Sequence, residues 1–248
     1  MIDTGVNPDH ETFSGAALEI IRLSGEEMAP SRAVHGTAVA AILIGDPAGR
    51  SPGLIPHSPL IAVDVFHRDQ GDERADAFSL VEALGVLADR DVRVLNLSLA
   101  GPSNMVLGEV IRRLIEVEGI VIVAAAGNGG PRADPAFPAA LPGVIAVTAL
   151  NRSNAIYRRA GQGDHIDIAA PGVDVWTAAS VRGARPKTGT SFAAPFVTAA
   201  AVLILQQDPN RTVADVHAIL ADSAVDLGDT GFDPVFGHGL LSIGGVCR

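Results

Sequence analysis

Residues 92–131 read VRVLNLSLAGPSNMVLGEVIRRLIEVEGIVIVAAAGNGGP, and this stretch decides the class of fold. Short apolar runs rich in β-branched residues stand at its two ends, Val92 to Leu97 and Ile120 to Ala125, which predicts buried strands. Between them, Met105 to Glu118 carries apolar residues at helical spacing. A strand, a helix and a second strand in this order predict a right-handed crossover and a parallel pair of strands.

The same alternation continues on both sides of this stretch. Leu60 to Phe66 and Val144 to Leu150 predict two more strands, and Ala75 to Asp89 predicts another helix. Phe192 to Leu205 is largely apolar but shorter than the roughly 18 to 20 residues that cross a bilayer, which predicts a buried helix and no membrane span. We expect an α/β fold: a three-layer, doubly wound, mostly parallel sheet with helices on both faces. In such sheets ligands bind at the carboxyl ends of the strands.

The composition narrows the class of partner. The chain has 248 residues without a repeat or a low-complexity linker, so we expect a single domain over residues 1–248. Its formal net charge is −10 and Lys187 is its only lysine, which argues against a nucleic-acid partner. The single cysteine, Cys247, excludes an intrachain disulfide and a thiolate zinc cluster. We expect a monomer that uses no cofactor.

Four short segments each place one chemically useful side chain at a predicted turn. They are MIDTGV with Asp3, HGTAVAAIL with His35, AAAGNGGP with Asn128 and TGTSFAAP with Ser191. Ser191 enters the apolar helix, where unpaired backbone NH groups and the helix dipole favour negative charge. Taken singly, Ser191 is more often an N-cap, Asn128 and Asp3 turn residues, and His35 a structural histidine. Their joint occurrence in this chain order points to a Ser-His-Asp triad with an oxyanion hole.

In these segments the sequence resembles the subtilisin-like serine proteases, or subtilases. The resemblance extends over nearly the whole chain and includes NLSLAGPS (96–103), IAAPGVDVWT (168–177) and GHGLLS (237–242). It implies that Ser191 is the nucleophile, His35 the general base, Asp3 its orienting carboxylate and Asn128 an oxyanion donor. It also implies an endopeptidase that acts on polypeptides, a propeptide or proteinaceous inhibitor as a further partner, and secretion.

The resemblance also assigns the substrate-binding residues. A four-residue segment would pair with the substrate backbone as an added strand, which predicts broad specificity: Ser98, Leu99, Ala100 and Gly101. Small residues would form the walls of the pocket for the side chain before the cleaved bond: Ala125, Gly127 and Ala136. We expect this pocket to take a medium or large apolar side chain.

Two departures from the family pattern bear on metal binding and on activity. Thr12 and the loop 47–54 lack the carboxylates that calcium requires, so we expect no strong metal site. Only Met1 and Ile2 precede Asp3, so we expect the chain to lack N-terminal strand residues and the propeptide. A chain without that strand would orient its base loosely, which leaves open a catalytically impaired, peptide-binding module.

A further alternative is an esterase of the α/β-hydrolase type. It would use Ser191 with Asp226 or Asp233 and then His238, in the chain order of that class. The residues around Ser191 argue against this alternative, because GTSFA (189–193) lacks the final glycine of the nucleophile motif of that class.

Overall fold

The computed structural model describes residues 1–23, 25 and 28–246, so Cys247 lies outside the described residues. The strands are β1 (Ile2–Asp3), β2 (Leu18–Arg22), β3 (Ala29–Pro30), β4 (Leu60–Asp64), β5 (His67–Asp69), β6 (Asp72–Arg74), β7 (Val94–Leu97), β8 (Val121–Ala125), β9 (Ile145–Leu150), β10 (Ile168–Pro171), β11 (Val175–Ala178) and β12 (Ala184–Lys187). The helices are α1 (His35–Ile44), α2 (Ala77–Ala88), α3 (Met105–Glu116), α4 (Thr190–Gln207), α5 (Val213–Ser223) and α6 (Ile243–Val246), with a 3-10 turn at Glu11–Phe13. The chain divides into two compact units, Met1–Asp91 with Val175–Lys187, and Val92–Asp174 with the residues from Thr188 onward.

The first unit contains parallel strands in which β4 lies between β1 and β2. Ile2 and Asp3 of β1 lie opposite Val63 and Asp64 of β4, and β2 runs parallel to the other edge of β4. In α1 every residue after His35 is buried, because its small and aliphatic side chains allow close packing. The antiparallel pairs β3–β5, β5–β6 and β11–β12 also belong to this unit.

The second unit contains the parallel strands β10, β9, β8 and β7 side by side in that order. Both β8 and β9 are buried along their whole length, which explains why β8 is continuously apolar and why Thr148 is the single polar residue of β9. One face of β8, formed by Val121, Val123 and Ala125, packs in the core with Ala193 and Val197 of α4. The sheet of this unit is therefore covered on that face by α4.

Helix α4 is a core helix. Its 18 residues have a mean hydropathy of 1.4, and 67% of them are buried inside the fold. The buried helix predicted over Phe192 to Leu205 is confirmed, with two more residues at each end. Gly189 is its N-cap, so Ser191 is the second helical residue and not the cap.

The other predicted elements are present with small differences at their ends. Strand β4 ends at Asp64 instead of Phe66, because the Asp64 carboxylate accepts a hydrogen bond from the NH of Phe66 at 3.0 Å and turns the chain. Strand β2 was not predicted, since its mixture of half-buried and exposed residues has no clear period. Strand β10 was not predicted either, because IAAP is short and poor in β-branched residues.

Candidate active site

In the first unit, a short hydrogen bond joins the side chains of Asp3 and His35. His35 Nδ1 lies 2.7 Å from Asp3 Oδ1, and that oxygen also accepts from the NH of Thr4 at 2.7 Å. The carboxylate side chain is 2% exposed, whereas the imidazole side chain is 32% exposed. Because Nδ1 faces a carboxylate it carries the ring hydrogen, and Nε2 is left as the nitrogen that can accept a proton.

Gly36 allows helix α1 to begin directly against the turn that follows β1. A Cβ atom at this position would lie 2.1 Å from the carbonyl oxygen of Thr4 and 2.7 Å from that of Gly5, so glycine is required. The NH of Gly36 donates to Thr4 Oγ1 at 2.8 Å. Since His35 immediately precedes Gly36, this contact fixes the point from which the imidazole extends.

The surroundings of His35 favour its protonated form. Burial lowers the pKa of the imidazole, but the charge of Asp3 and the hydrogen bond to it outweigh burial and raise the pKa above the usual value. The positive charge of Lys187 lowers this pKa, and the negative charge of Glu73 raises it, by smaller amounts. Asp3 therefore stabilises the imidazolium that a general base becomes after it takes a proton.

In the second unit, Asn128 is held against Thr190 at the start of α4. The NH of Thr190 donates to Asn128 Oδ1 at 3.1 Å, and the Thr190 hydroxyl donates to the same oxygen at 3.3 Å. The Thr190 hydroxyl in turn accepts from the NH of Gly127 at 3.2 Å. A backbone NH is always a donor, so the amide oxygen of Asn128 must face Thr190, and its NH₂ group is left as a donor for another partner.

Ser191 follows Thr190 in the first turn of α4. The NH of Thr190 donates to Asn128 Oδ1, and the NH of Phe192 donates to the carbonyl oxygen of Gly189 at 3.1 Å. The helix dipole adds partial positive charge at the NH of Ser191 between them. The turn before the helix is anchored, because the NH of Gly189 donates to the carbonyl oxygen of Gly172 at 2.8 Å. This end of α4 is therefore chemically suited to hold a negatively charged oxygen.

The three predicted pocket residues, Ala125, Gly127 and Ala136, all belong to the second unit. Gly127 has a φ of 90°, and a Cβ atom there would lie 2.9 Å from the Cβ of Ala136 and 3.8 Å from that of Ala100. Ala125 is the last residue of β8 and is buried just before this turn. Small side chains at these positions allow the Gly127 turn to pack closely against Ala136.

The segment predicted to pair with substrate continues from the end of β7. Ser98 is buried, Leu99 is half-buried, and Ala100 and Gly101 are exposed. Gly101 already pairs with Phe137, through NH-to-carbonyl bonds of 2.9 Å and 3.0 Å in the two directions. In an extended segment, successive residues direct their main-chain groups to opposite edges, so those of Ser98 and Ala100 face away from Phe137.

The alternative esterase triad is not assembled. The NH of His238 donates to the carbonyl oxygen of Asp167, just before β10, whereas Gly189 bonds to Gly172, just after β10. The intervening strand separates these points by roughly 15 Å. The buried carboxylate of Asp233 accepts hydrogen bonds from main-chain NH groups of its own loop instead. The esterase interpretation is therefore not supported.

The sequence analysis missed three polar residues near Ser191, namely Thr190, Asn96 and Thr198. Asn96 and Thr198 are 1% and 5% exposed, and the Thr198 hydroxyl donates to Asn96 Oδ1 at 2.9 Å. The sequence contains a signal for Asn96 and Thr198, because each of these two residues interrupts an apolar run. A polar side chain buried in such a run needs a hydrogen-bond partner.

Thr12 takes part in a hydrogen bond between two segments of the first unit. The buried hydroxyl of Thr12 donates to the carbonyl oxygen of Ser51 at 3.1 Å. Among residues 1–23, 25 and 28–246, no group of three or more His, Cys, Asp or Glu side chains is arranged to hold a metal ion. The expectation that the protein has no strong metal site stays a prediction.

Comparisons with known proteins identify the family of the chain. The model of the Subtilase family matches residues 1–239. A subtilisin of Bacillus pumilus is 30% identical over 252 residues, which cover 98% of this chain and 88% of the subtilisin. The minor extracellular protease Epr of Bacillus subtilis (strain 168) is 28% identical, and the match covers 97% of this chain but only 37% of Epr.

A solved structure extends the likeness to the fold. A variant of the protease domain of PatA superimposes with a TM-score of 0.87 at 27% identity, over 99% of this chain and 92% of that domain. The predicted fold class, a mostly parallel sheet with helices, is confirmed.

Proposed function

Because the chain belongs to the subtilase family of serine proteases, we propose that it is an endopeptidase in which Ser191, His35 and Asp3 act as the catalytic triad. The observation that carries this proposal is the 2.7 Å contact between His35 Nδ1 and the buried Asp3 carboxylate. A carboxylate in this place orients the ring and stabilises its positive charge, as a general base requires.

In the proposed reaction, Ser191 Oγ attacks the scissile carbonyl carbon while His35 Nε2 takes the hydroxyl proton. The π electrons of the carbonyl move to its oxygen, which accepts hydrogen bonds from the Asn128 NH₂ group and the Ser191 NH. Collapse of this intermediate breaks the carbon–nitrogen bond. The amine leaves with the proton from His35, and the acyl group stays on Ser191. Water then attacks the ester with His35 again as base, which releases the carboxylic acid and restores Ser191.

We propose that substrate binds mainly through its backbone. The main-chain groups of Ser98 and Ala100 face away from Phe137 and are suited to pair with an extended peptide as an added strand. Contacts of this kind read little side-chain chemistry, which supports broad specificity. The small residues Ala125, Gly127 and Ala136 support a medium or large apolar side chain before the cleaved bond.

The proposal includes the wider setting of the enzyme. We propose a single peptidase domain over residues 1–248 that acts as a monomer and needs no cofactor. A propeptide or a proteinaceous inhibitor would bind where the substrate binds, since each presents a peptide backbone. The description of the relative Epr as extracellular supports secretion of this protein as well.

Labelling with a fluorophosphonate probe tests the proposal. The probe is attacked by an activated serine hydroxyl and releases fluoride. We expect the wild-type chain to be labelled, with the modification mapped to Ser191, and to hydrolyse an unfolded polypeptide. The Ser191→Ala variant serves as the control and should show neither activity. Tight peptide binding without labelling, or labelling at another residue, would overturn the proposal, and the first outcome would favour a peptide-binding module without catalysis.

A further inference from the structure

Helix α4 has a gap in its hydrogen-bond ladder at the carbonyl group of Ser191. In an α-helix the NH of each residue donates to the carbonyl oxygen four residues earlier, so the acceptor facing position 195 is the Ser191 carbonyl. Position 195 is Pro195, which lies inside the helix and has no NH to donate. The proline ring also crowds that carbonyl group. The main chain of Ser191 therefore lacks the bond that would normally fix it to the next turn.

Ser98 supplies the missing donor. Its hydroxyl donates to the carbonyl oxygen of Ser191 at 2.8 Å, and Ser98 is 4% exposed. Ser98 directly follows β7, so this bond ties the start of α4 to the end of a strand in the same unit. A partly buried carbonyl oxygen without a donor would be destabilising, so this hydrogen bond stabilises the start of α4.

Two further buried side chains orient the Ser98 hydroxyl. Asn96 Nδ2 donates to Ser98 Oγ at 2.9 Å, and the Thr198 hydroxyl donates to Asn96 Oδ1 at 2.9 Å. All the bonds run in one direction, from Thr198 through Asn96 and Ser98 to Ser191, so each donor polarises the next. Because Asn96 donates to Ser98, the hydroxyl hydrogen of Ser98 is free to point at Ser191.

The spacing of these residues explains why they meet. Asn96 and Ser98 are two residues apart, which places them on the same face of an extended segment. Ser191 and Thr198 are seven residues apart in α4, which places them two turns apart on one helix face. One face of the strand end thus carries a polar pair opposite a polar pair on the helix.

We propose that Ser98, oriented by Asn96 and Thr198, is a positioning residue for the nucleophile. The inference rests on the proposed role of Ser191. Ser98 has two functions: its side chain holds the Ser191 main chain at the proline gap, and its own main chain faces the proposed substrate strand. Ser98 thus contacts both the nucleophile and the proposed substrate strand, which fixes the position of one relative to the other.

A double-mutant cycle between Ser98→Ala and Pro195→Ala tests this positioning. The second-order rate constant for fluorophosphonate labelling of Ser191 is measured on folded protein, with thermal stability measured alongside. We expect Ser98→Ala to slow labelling about tenfold, because a displaced nucleophile reacts poorly. In the Pro195→Ala background the alanine NH can bond to the Ser191 carbonyl, so the same change should slow labelling less than about threefold.

A second pair of variants covers the case in which Ser98→Ala does not fold. Thr198→Val removes the hydroxyl at constant shape and should slow labelling by about threefold, whereas Thr198→Ser keeps the hydroxyl and should not. Loss of stability without slower labelling would show a merely structural role and overturn the inference. Equal effects of Ser98→Ala in both backgrounds would overturn it as well. If wild-type Ser191 is not labelled at all, the proposed function fails and this inference fails with it; normal labelling of both wild type and Ser98→Ala removes the inference alone.

Discussion

The two units hold their proposed catalytic side chains by different means. In the first unit His35 is held by a charge, the buried carboxylate of Asp3 at 2.7 Å. In the second unit Asn128 is held by neutral donors, the NH and the hydroxyl of Thr190. The difference matches the charge that each side chain meets. In the proposed reaction His35 becomes a cation and is stabilised by the anion beside it, whereas Asn128 meets an anion that exists only briefly, for which a fixed dipole suffices.

The largest effect is expected when the proposed general base of the first unit is removed. His35→Ala should lower kcat by about 10⁶, as should Ser191→Ala, and the double variant should lose little more, because the two residues act as a unit. This magnitude comes from subtilisin itself and not from the present chain. Steady-state hydrolysis of a peptide measures it. His57→Ala, at an exposed histidine of the first unit, is the control and should retain wild-type kcat. Activity of His35→Ala near the wild-type level would show that the base lies elsewhere.

Removing only the charge of the first unit should have a smaller effect. Asp3→Asn should lower kcat by about 10⁴, because the amide favours the wrong ring tautomer. It should also move the acid limb of the kcat/KM profile to lower pH, since the carboxylate is what raises the pKa of His35.

The control for this substitution is Asp64→Asn. Asp64 lies opposite Asp3 in the neighbouring strand and bonds to the Ser31 hydroxyl at 3.0 Å. We expect this variant to keep kcat within about tenfold of wild type. An unchanged acid limb in Asp3→Asn would mean that the pair does not set the protonation of the base.

Removing the neutral donor of the second unit should be milder still. Asn128→Ala should lower kcat by about 10² to 10³, again a range that comes from subtilisin, with KM nearly unchanged because the lost bond forms only in the transition state. The acid limb should stay in place, since no charge near His35 has changed. A comparison of pH profiles for Asn128→Ala and Asp3→Asn therefore separates the two ways of holding a side chain. A large rise in KM would assign Asn128 to ground-state binding.

The smallest expected effect concerns the proposed substrate pocket formed by Ala125, Gly127 and Ala136. Ala136→Val should lower kcat/KM for a peptide with phenylalanine before the cleaved bond by about tenfold relative to one with alanine, because added methyl groups fill the space near Gly127. Competition between the two peptides in one reaction measures the ratio directly. The Asp3–His35 pair should be unaffected, so the acid limb serves as an internal control. An unchanged ratio would place the pocket elsewhere.

Much of the fold could be predicted from local pattern, because buried parallel strands have an unmistakable composition. Strand β8 is continuously apolar and was predicted to within one residue at its start. Strand β2, with exposed residues on both faces, carries no such signal. The start of α4 was placed two residues late because Thr190 and Ser191 are polar and add nothing to an apolar run.

Only those residues of the candidate site whose own side chains have a recognisable chemical role could be predicted from the sequence. Asp3 and His35 were paired by chain order and resemblance, and the hydrogen bond between them agrees with that pairing. The bond between Thr198 and Asn96 joins residues 102 positions apart, and no spacing rule links them. A polar residue in a buried segment predicts a hydrogen-bond partner, but only the packing of α4 on β7 identifies that partner.

The seat of Gly36 against Thr4 has a consequence for protein engineering. The position of the imidazole depends on the contact between the main chain of Gly36 and that of Thr4. Any other amino acid at position 36 would place its Cβ atom against the carbonyl oxygen of Thr4. Directed evolution therefore has no adjustable side chain at this joint, and improvement must come from the groups around it. A protein design that places this histidine in another scaffold must also reproduce the main-chain contact between Gly36 and Thr4.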